Sequence, residues 1–382
     1  MRRVAGSDGV RVLALLIVLL CLKGGVALGW SPKGVSTLVA TLSNRGLNKE
    51  AREALTAGYY ESLMNEGSRV SAMNRLVTGS RVITFEDRSQ PDRRETHDFR
   101  FYELIPNSDV PDYNDARQHY HLNTNSAGLA DREYSVAKPQ GVHRLALFGD
   151  SVSRGQGAPF QGAYEALLEN ALNAARAPGT PASVEILNFS VGSYNITQMM
   201  ETANVTATPY DPDVYVIAMT KLSVYRSWAQ HIALLMNAGI DLKYDYLKTM
   251  TREAGAHPKD PIGLFEAKVA KFRLPTITWA LTQVQAHAAQ RHAQVVALLV
   301  PLAEDHDALE EQFLGIREIL KDLGLPYVDL LDTFEHVDLS KYRVGERDFH
   351  LNAEGHRLIY ERLYAALKAD PKLMKIFVGP AS

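Results

Sequence analysis

A serine, a histidine and an aspartate of this chain are placed so that they could carry nucleophilic catalysis. Ser151 ends the tripeptide Gly149-Asp150-Ser151 and is followed by Gly155 and Gly157, while Asp348 and His350 stand two apart in the segment 348–356. A serine hydroxyl is a weak nucleophile until a base takes its proton, and the base needs a partner that fixes its tautomer and orientation. Two apart in an extended turn, Asp348 and His350 can point the same way, so that the carboxylate reaches one ring nitrogen while the other faces Ser151. Each residue also has a plainer use. Ser and Asp are preferred helix caps, and Asp and Asn are common in the loop before a helix, where Asn352 would be the cap. His356 reads as a packing or surface residue of that helix. His119 and His121 have no third ligand at matching spacing, and metal sites need three or four converging ligands, so no metal is expected.

The elements around these residues follow from periodicity. Leu145 to Phe148 is apolar without alternation, as a parallel strand covered on both faces requires. From Tyr164 the apolar positions Tyr164, Leu167, Leu168, Ala171 and Leu172 follow one face of a helix. Ser151 therefore falls in a strand-to-helix turn, facing the crevice at the carboxyl ends of the strands, where such sheets place ligands. Further strands are expected at 184–189, 214–219, 295–300 and 327–331, with the first at 143–148. Helices are expected at 163–175, 276–293, 308–323 and 354–367. This alternation predicts a three-layer αβα sandwich around a five-stranded parallel sheet.

Upstream the signals are weaker. A helix is expected over 49–65 despite Gly58, an exposed polar loop over 79–94, a short strand over 99–106 and turn residues over 107–114. The domains expected are a leader or anchor at 1–29, a helical or irregular extension at 30–135 packed on the core, the main domain at 136–370 with an insertion at 221–273, and a tail at 371–382.

The 382 residues carry 41 basic and 44 acidic side chains, a net charge of −3, which offers no excess to attract nucleic acid or an anionic membrane surface. Arg2, Arg3 and Arg11 precede an apolar run from Val12 to Leu22 that is short for a membrane span and matches a secretory signal, with Ala27-Leu28-Gly29 as a cleavage site before Trp30. An uncleaved anchor over 12–29, with Lys23 tolerated near one end, is the competing reading. Either way the rest of the chain is expected outside the cytoplasm, in the periplasm or secreted, with membrane contact only through that segment. The single cysteine, Cys21, lies inside the run, so its removal would leave no thiol for catalysis, disulfides or metal. No cofactor is expected.

Gly149-Asp150-Ser151 at a strand end, Asn188-Phe-Ser-Val-Gly-Ser-Tyr194 after the second strand and Asp348-x-His350 before the last helix resemble the first, second and fifth blocks of the SGNH/GDSL hydrolase superfamily. Asn125-Ser-Ala-Gly-Leu129, Lys138-Pro-Gln-Gly141 and Arg144 are similar to the lead-in of one bacterial branch. The resemblance covers roughly residues 99 to 368. It implies a flavodoxin-like sandwich with Ser151 as nucleophile, His350 as general base and Asp348 as its orienter, hydrolysing an ester through an acyl-enzyme. Backbone donors of the oxyanion hole would come from Ser151 and the Gly192-Ser193 turn. The Asp-x-His spacing is shorter than the commoner Asp-x-x-His, and it resembles extracytoplasmic members that act on polysaccharide acyl groups.

Two departures stand out. The glycine usually found five residues after the block-two asparagine is Ser193 here, which matters only if the turn needs positive φ. The third block lacks its asparagine donor, and the segment reads Thr220-Lys221-Leu222-Ser223, leaving Thr220, Lys221 and Ser223 as candidate replacements. The expected activity is removal of acetyl or other small acyl groups from an acylated carbohydrate, with Tyr225, Trp228, Tyr244 and Tyr246 available to stack on sugar rings or to pack in the core. An O-acyltransferase with the same three residues, or an impaired carbohydrate-binding relative, are the alternatives.

Overall fold

Consecutive side chains along the central strands go to opposite faces, and both faces are apolar. In the computed structural model, residues 82–83, 91–111, 120–176, 183–225, 227–304, 306–345 and 348–379 are described. The expected export segment, the helix at 49–65 and His119 lie outside them. Four short strands come first. β1 (Arg93–Glu95) pairs antiparallel with β2 (Tyr102–Leu104), and β3 (Asp109–Pro111) pairs with β4 (His121–Asn123). The main sheet follows: β5 (Val142–Phe148), β6 (Ser183–Asn188), β7 (Val214–Met219), β8 (Gln294–Leu299) and β9 (Tyr327–Asp329), all parallel, in the order β6-β5-β7-β8-β9.

Leu145 and Leu147 of β5, Val214 and Val216 of β7 and Val296 and Leu298 of β8 meet Tyr164, Leu168 and Leu172 of the helix Tyr164–Ala174 and Ile359, Leu363 and Leu367 of the helix Ala353–Ala369. Ala146, Phe148, Tyr215, Ile217, Met219, Ala297 and Leu299 face the other way, against Ile277, Leu281 and Val284 of the helix Arg273–Gln290 and Met199 of Ile196–Glu201. This is the three-layer αβα sandwich that the alternation predicts. Each fully buried Leu, Ile or Val contributes about 1.5–3 kcal/mol, which makes the sheet a rigid base for whatever its ends carry. The order places the first strand between the second and third, so connections leave β5 and β7 toward opposite faces. The crevice at their carboxyl ends is the topological switch point where such folds bind ligands, and Ser151 lies there.

Several expectations need correction. The segment 107–114 is not only turn: Val110 and Leu122 pack inward, and β3 forms at 109–111. The strand over 99–106 shortens to β2 because Phe101 adopts φ 71°, outside the extended region. The helix over 308–323 is two helices, His306–Gln312 and Ile316–Asp322, divided at Gly315, whose φ of 83° breaks the helical path. Pro275 does not delay the helix that follows, which starts at Arg273, because proline is tolerated in a first turn. The tail at 371–382 holds a helix, Pro371–Val378, capped by Asp370 and fixed by buried Phe377. Within 221–273, the helices Ser227–Ala238, Asp245–Glu253 and Ile262–Val269 share the core of one sheet face through Ile232, Leu235, Leu247, Phe265 and Val269. Trp228 is buried in that core and is no sugar platform. Tyr244 hydrogen-bonds Glu201, Tyr246 stacks on Trp279, and Tyr225 lies under the Arg273 guanidinium.

Candidate active site

The turn after β5 is shaped by its glycines. A β-carbon on Gly149 would lie 2.4 Å from that of Ser153, and one on Gly157 would lie 2.3 Å from the Leu351 carbonyl oxygen, so both approaches require glycine. Amides of Arg154 and Gln156 donate to the carbonyls of Asp150 and Ser151 at 2.9 and 3.0 Å, closing the chain around the serine. Asn188 Nδ2 donates to the Ser153 carbonyl at 2.8 Å and ties this turn to the end of β6. The helix itself starts only at Tyr164, whose hydroxyl shares a 2.7 Å hydrogen bond with Ser153.

Ser151, His350 and Asp348 come together as a hydrogen-bonded chain. Ser151 Oγ lies 2.8 Å from His350 Nε2, and His350 Nδ1 lies 2.6 Å from Asp348 Oδ1. The same carboxylate oxygen accepts the His350 backbone amide at 3.0 Å, so the two-residue spacing closes a small ring that fixes both side chains. The loop is held at 343–352 by the Val344 amide on the His350 carbonyl and by Asn352, which caps the next helix by accepting from the Gly355 amide. An ionised Asp348 requires the proton on Nδ1, which leaves Nε2 to accept from the serine hydroxyl.

The electrostatics favour that arrangement. Burial works against a charged imidazolium, yet the Asp348 carboxylate outweighs it and holds His350 above its ordinary value, with Arg154 opposing. Burial would raise Asp348, but His350 beside it brings the carboxyl below its usual range. Asp150 behaves differently. Burial pushes it upward against hydrogen bonds from Thr220 and the Val152 amide. His356 sits against the Tyr164 ring and near the Gln156 carbonyl, as a packing residue. His121 pairs with Asp109 at the surface, 2.6 Å apart.

The turn after β6 explains one departure from the resembled pattern and leaves another open. Ser193 has φ 65°, so the position does need the left-handed region, and a serine there carries strain that glycine would not. The three candidate replacements for the missing asparagine are committed elsewhere. Thr220 Oγ1 donates to Asp150 Oδ2 and, as N-cap of the short helix Lys221–Val224, accepts from the Leu222 amide at 3.2 Å. Ser223 Oγ accepts from the Thr220 amide and donates to the Thr220 carbonyl, completing a capping box. Lys221 is buried and paired with Glu304. Thr220 thus joins the end of β7 to the turn after β5, Lys221 joins it to the segment after β8, and Ser223 closes the cap of its own helix.

Sequence reasoning missed the partners that hold these groups. Asp150 reads as part of a motif and turns out to be the anchor for Thr220. The polar stretch 79–94, expected as an exposed loop, contains Asp92, which is buried and accepts from Arg154 Nη1 at 2.9 Å, and Arg93, whose side chain is 6% exposed. Nothing in a run of charged residues signals burial, because such runs are ordinarily solvated.

The doubly wound sheet holds Gly149-Asp150-Ser151 in the turn after β5, with His350 and Asp348 against the serine, the arrangement of an ester-bond hydrolase. The sequence model of the GDSL-like lipase/acylhydrolase family matches residues 147–358, more than half of the chain and a span that includes both Ser151 and His350. The chain belongs to this family. Similar solved structures include the psychrotrophic esterase EstA from Pseudoalteromonas sp., at 12% identity over 59% of this chain and 97% of that one, with a TM-score of 0.37. Another is the acetylxylan esterase Axe2 from Geobacillus stearothermophilus, at 13% identity over 58% and 93%, with a TM-score of 0.39. A third is the α/β hydrolase LAE5 from the metagenome of Lake Arreo, Spain, at 18% identity over 59% and 94%, with a TM-score of 0.38. No curated protein sequence matches the chain.

Proposed function

We propose that this protein is an extracytoplasmic serine esterase that removes acetyl or other small acyl groups from a glycan. The observation that carries the reading is the relay from Ser151 Oγ to His350 Nε2 at 2.8 Å and from His350 Nδ1 to Asp348 at 2.6 Å. In this scheme Oγ attacks the ester carbonyl while Nε2 takes its proton. The tetrahedral intermediate collapses to an acyl-enzyme as the protonated histidine gives its proton to the departing sugar oxygen. Water then repeats the sequence with His350 again as base, releasing the carboxylic acid and restoring Ser151. Asp348 keeps the ring in the productive tautomer and stabilises the imidazolium in each half-reaction. The small acyl group and the glycan rest on the Asp-x-His form of the last block, and the compartment rests on the charged and apolar segment before Trp30.

Labelling the purified protein with a fluorophosphonate and mapping the adduct tests the nucleophile, with Ser151 expected to carry it. Ser151→Ala should lose several orders of magnitude of activity on 4-nitrophenyl acetate. Acetate release from acetylated oligosaccharides should exceed turnover of long-chain acyl esters. An adduct elsewhere, an active Ser151→Ala variant or a preference for long acyl chains refutes the corresponding part.

A further inference from the structure

The chain has no asparagine where the resembled family has its side-chain donor, and a guanidinium reaches the turn expected to supply backbone donors. Arg93 lies on β1, outside the family-matched span, yet its guanidinium reaches the turn after β6: a β-carbon on Gly192 would lie 2.4 Å from Arg93 Nη2 and 3.9 Å from Arg154 Nε. The amide nitrogen of any residue is about 2.5 Å from its own β-carbon position. Nη2 and the Gly192 amide are therefore within about 5 Å of each other, the separation of two donors that each approach one oxygen at roughly 2.7–3.1 Å.

Arg93 is fixed in place rather than free. Its Cζ stands 5.0 Å over the Tyr102 ring, its Nε is 3.3 Å from Asp92 Oδ1, and the Tyr102 hydroxyl donates to the Gly192 carbonyl at 3.3 Å. Asp92 also takes Arg154, so two guanidinium groups share one carboxylate and the cluster retains a positive charge. Among the described residues the buried Arg93 Nε has no hydrogen-bond partner beyond its ion pair with Asp92, and the side chain is only 6% exposed. Asp92, shared with Arg154, balances only part of this charge, and an anion placed at the Arg93 Nη groups would complete it. The reaction proposed for Ser151 creates such an anion.

We propose that Arg93 supplies the side-chain donor of the oxyanion hole, with Nη2 and the amides of the Gly192-Ser193 turn converging on the carbonyl oxygen as it becomes negative. Arg93 keeps its proton throughout and donates hydrogen bonds only. The inference rests on Ser151 acting as the nucleophile, and it assigns a donor from the amino-terminal hairpin to a site otherwise built from the sheet. Arg154 is the companion charge. It shares Asp92, and it lies near enough to His350 to oppose protonation of the ring.

The test compares kcat and KM of the full-length protein on 4-nitrophenyl acetate, a neutral substrate, for wild type, Arg93→Ala, Arg93→Met, Ser151→Ala and the exposed neighbour Arg94→Ala. Removing one oxyanion donor typically lowers turnover about a hundred- to a thousandfold. Both Arg93 variants should lose on that order in kcat with KM changed less than about threefold, and millimolar guanidinium chloride should restore part of the rate in Arg93→Ala. Arg94→Ala should remain at wild-type rate. An active Ser151→Ala would remove the esterase reading itself. With Ser151→Ala inactive, an unchanged kcat in both Arg93 variants overturns the assignment and leaves the esterase reading standing. So does a defect confined to KM for acidic substrates, which would make Arg93 a recognition group. Should both Arg93 variants lose thermal stability, the absence of guanidinium rescue in the fraction that remains folded would likewise overturn it.

Discussion

Exchanging Asp348 for asparagine preserves the shape of the loop and removes one charge, so it isolates what the carboxylate does. Oδ1 holds two donors, the His350 backbone amide at 3.0 Å and Nδ1 at 2.6 Å, and an amide oxygen can keep both geometrically. It cannot stabilise the imidazolium that forms when Ser151 gives up its proton. In a Ser-His-Asp protease, the aspartate-to-asparagine exchange that leaves the histidine in the wrong tautomer costs about ten-thousandfold in turnover. Taking a thousand- to ten-thousandfold loss gives about 4–5.5 kcal/mol of transition-state stabilisation, at about 1.4 kcal/mol per decade. The pH profile supplies an independent reading. Catalysis needs neutral His350, so kcat/KM falls as the ring protonates, and the acid limb reports the ring in the free enzyme. Burial lowers that value and Asp348 raises it, with the carboxylate prevailing, so the wild-type limb should lie above the ordinary histidine value of about 6.5. With that charge gone, burial and Arg154 are opposed by Asp150 alone, and the limb should move below its wild-type position. The assay is kcat/KM on 4-nitrophenyl acetate between pH 5 and pH 9. A variant within tenfold of wild type at pH 8, or one whose acid limb stays put or moves upward, would show that Asp348 does not act through His350.

The remaining expectations concern the scaffold. Thr220→Val removes an N-cap and the hydroxyl donated to buried Asp150, so unfolding by urea should show a loss of about 2–4 kcal/mol, from roughly 1 for the cap and 1–3 for the stranded carboxylate; a loss below about 1 would deny the clamp. Ser193→Gly relieves a non-glycine residue at φ 65° and should raise stability by about 1 kcal/mol, with activity retained, as thermal melting and turnover would show; destabilisation would mean that the serine is needed there for other reasons. Glu165 is fully buried, with one carboxylate oxygen unpartnered, and burial together with Asp131 and Glu169 raises its titration well above the usual range. The stability linked to its protonation is present at low pH and lost as pH rises through the folded value, so Glu165→Gln should melt a few degrees higher than wild type at pH 8 and lose that advantage at pH 5. An advantage that is independent of pH would assign the effect to packing.

The parts of this molecule legible in sequence are those set by local pattern. Val214–Met219 is an uninterrupted apolar run between polar residues, and it is β7. The Gly-Asp-Ser turn and the Asp348-x-His350 pair announce themselves because glycine and charged residues interrupt apolar periodicity. Pairings across the chain leave no such trace. Thr220 as cap and clamp depends on Asp150, 70 residues away. Arg93 depends on Gly192, on a different element, and reads in sequence as one more solvated charge. Lys221 reads as a free cation because Glu304 lies 83 positions further on. The division at Gly315 is hidden because apolar positions continue on either side of it.

Ser151 and His350 stand 199 positions apart, one at the end of β5 and the other just before the helix Ala353–Ala369. Closing a loop of that length costs about 5 kcal/mol of chain entropy, and the 2.8 Å contact between them contributes little toward it. Ile359, Leu363 and Leu367, packed under the sheet with Phe377 of the helix after them, supply the docking energy. The reactive centre therefore exists only while the last helices are seated. Hydrogen exchange in 353–369 and the rate of phosphonylation at Ser151 would report the same opening event, with the sheet amides still protected.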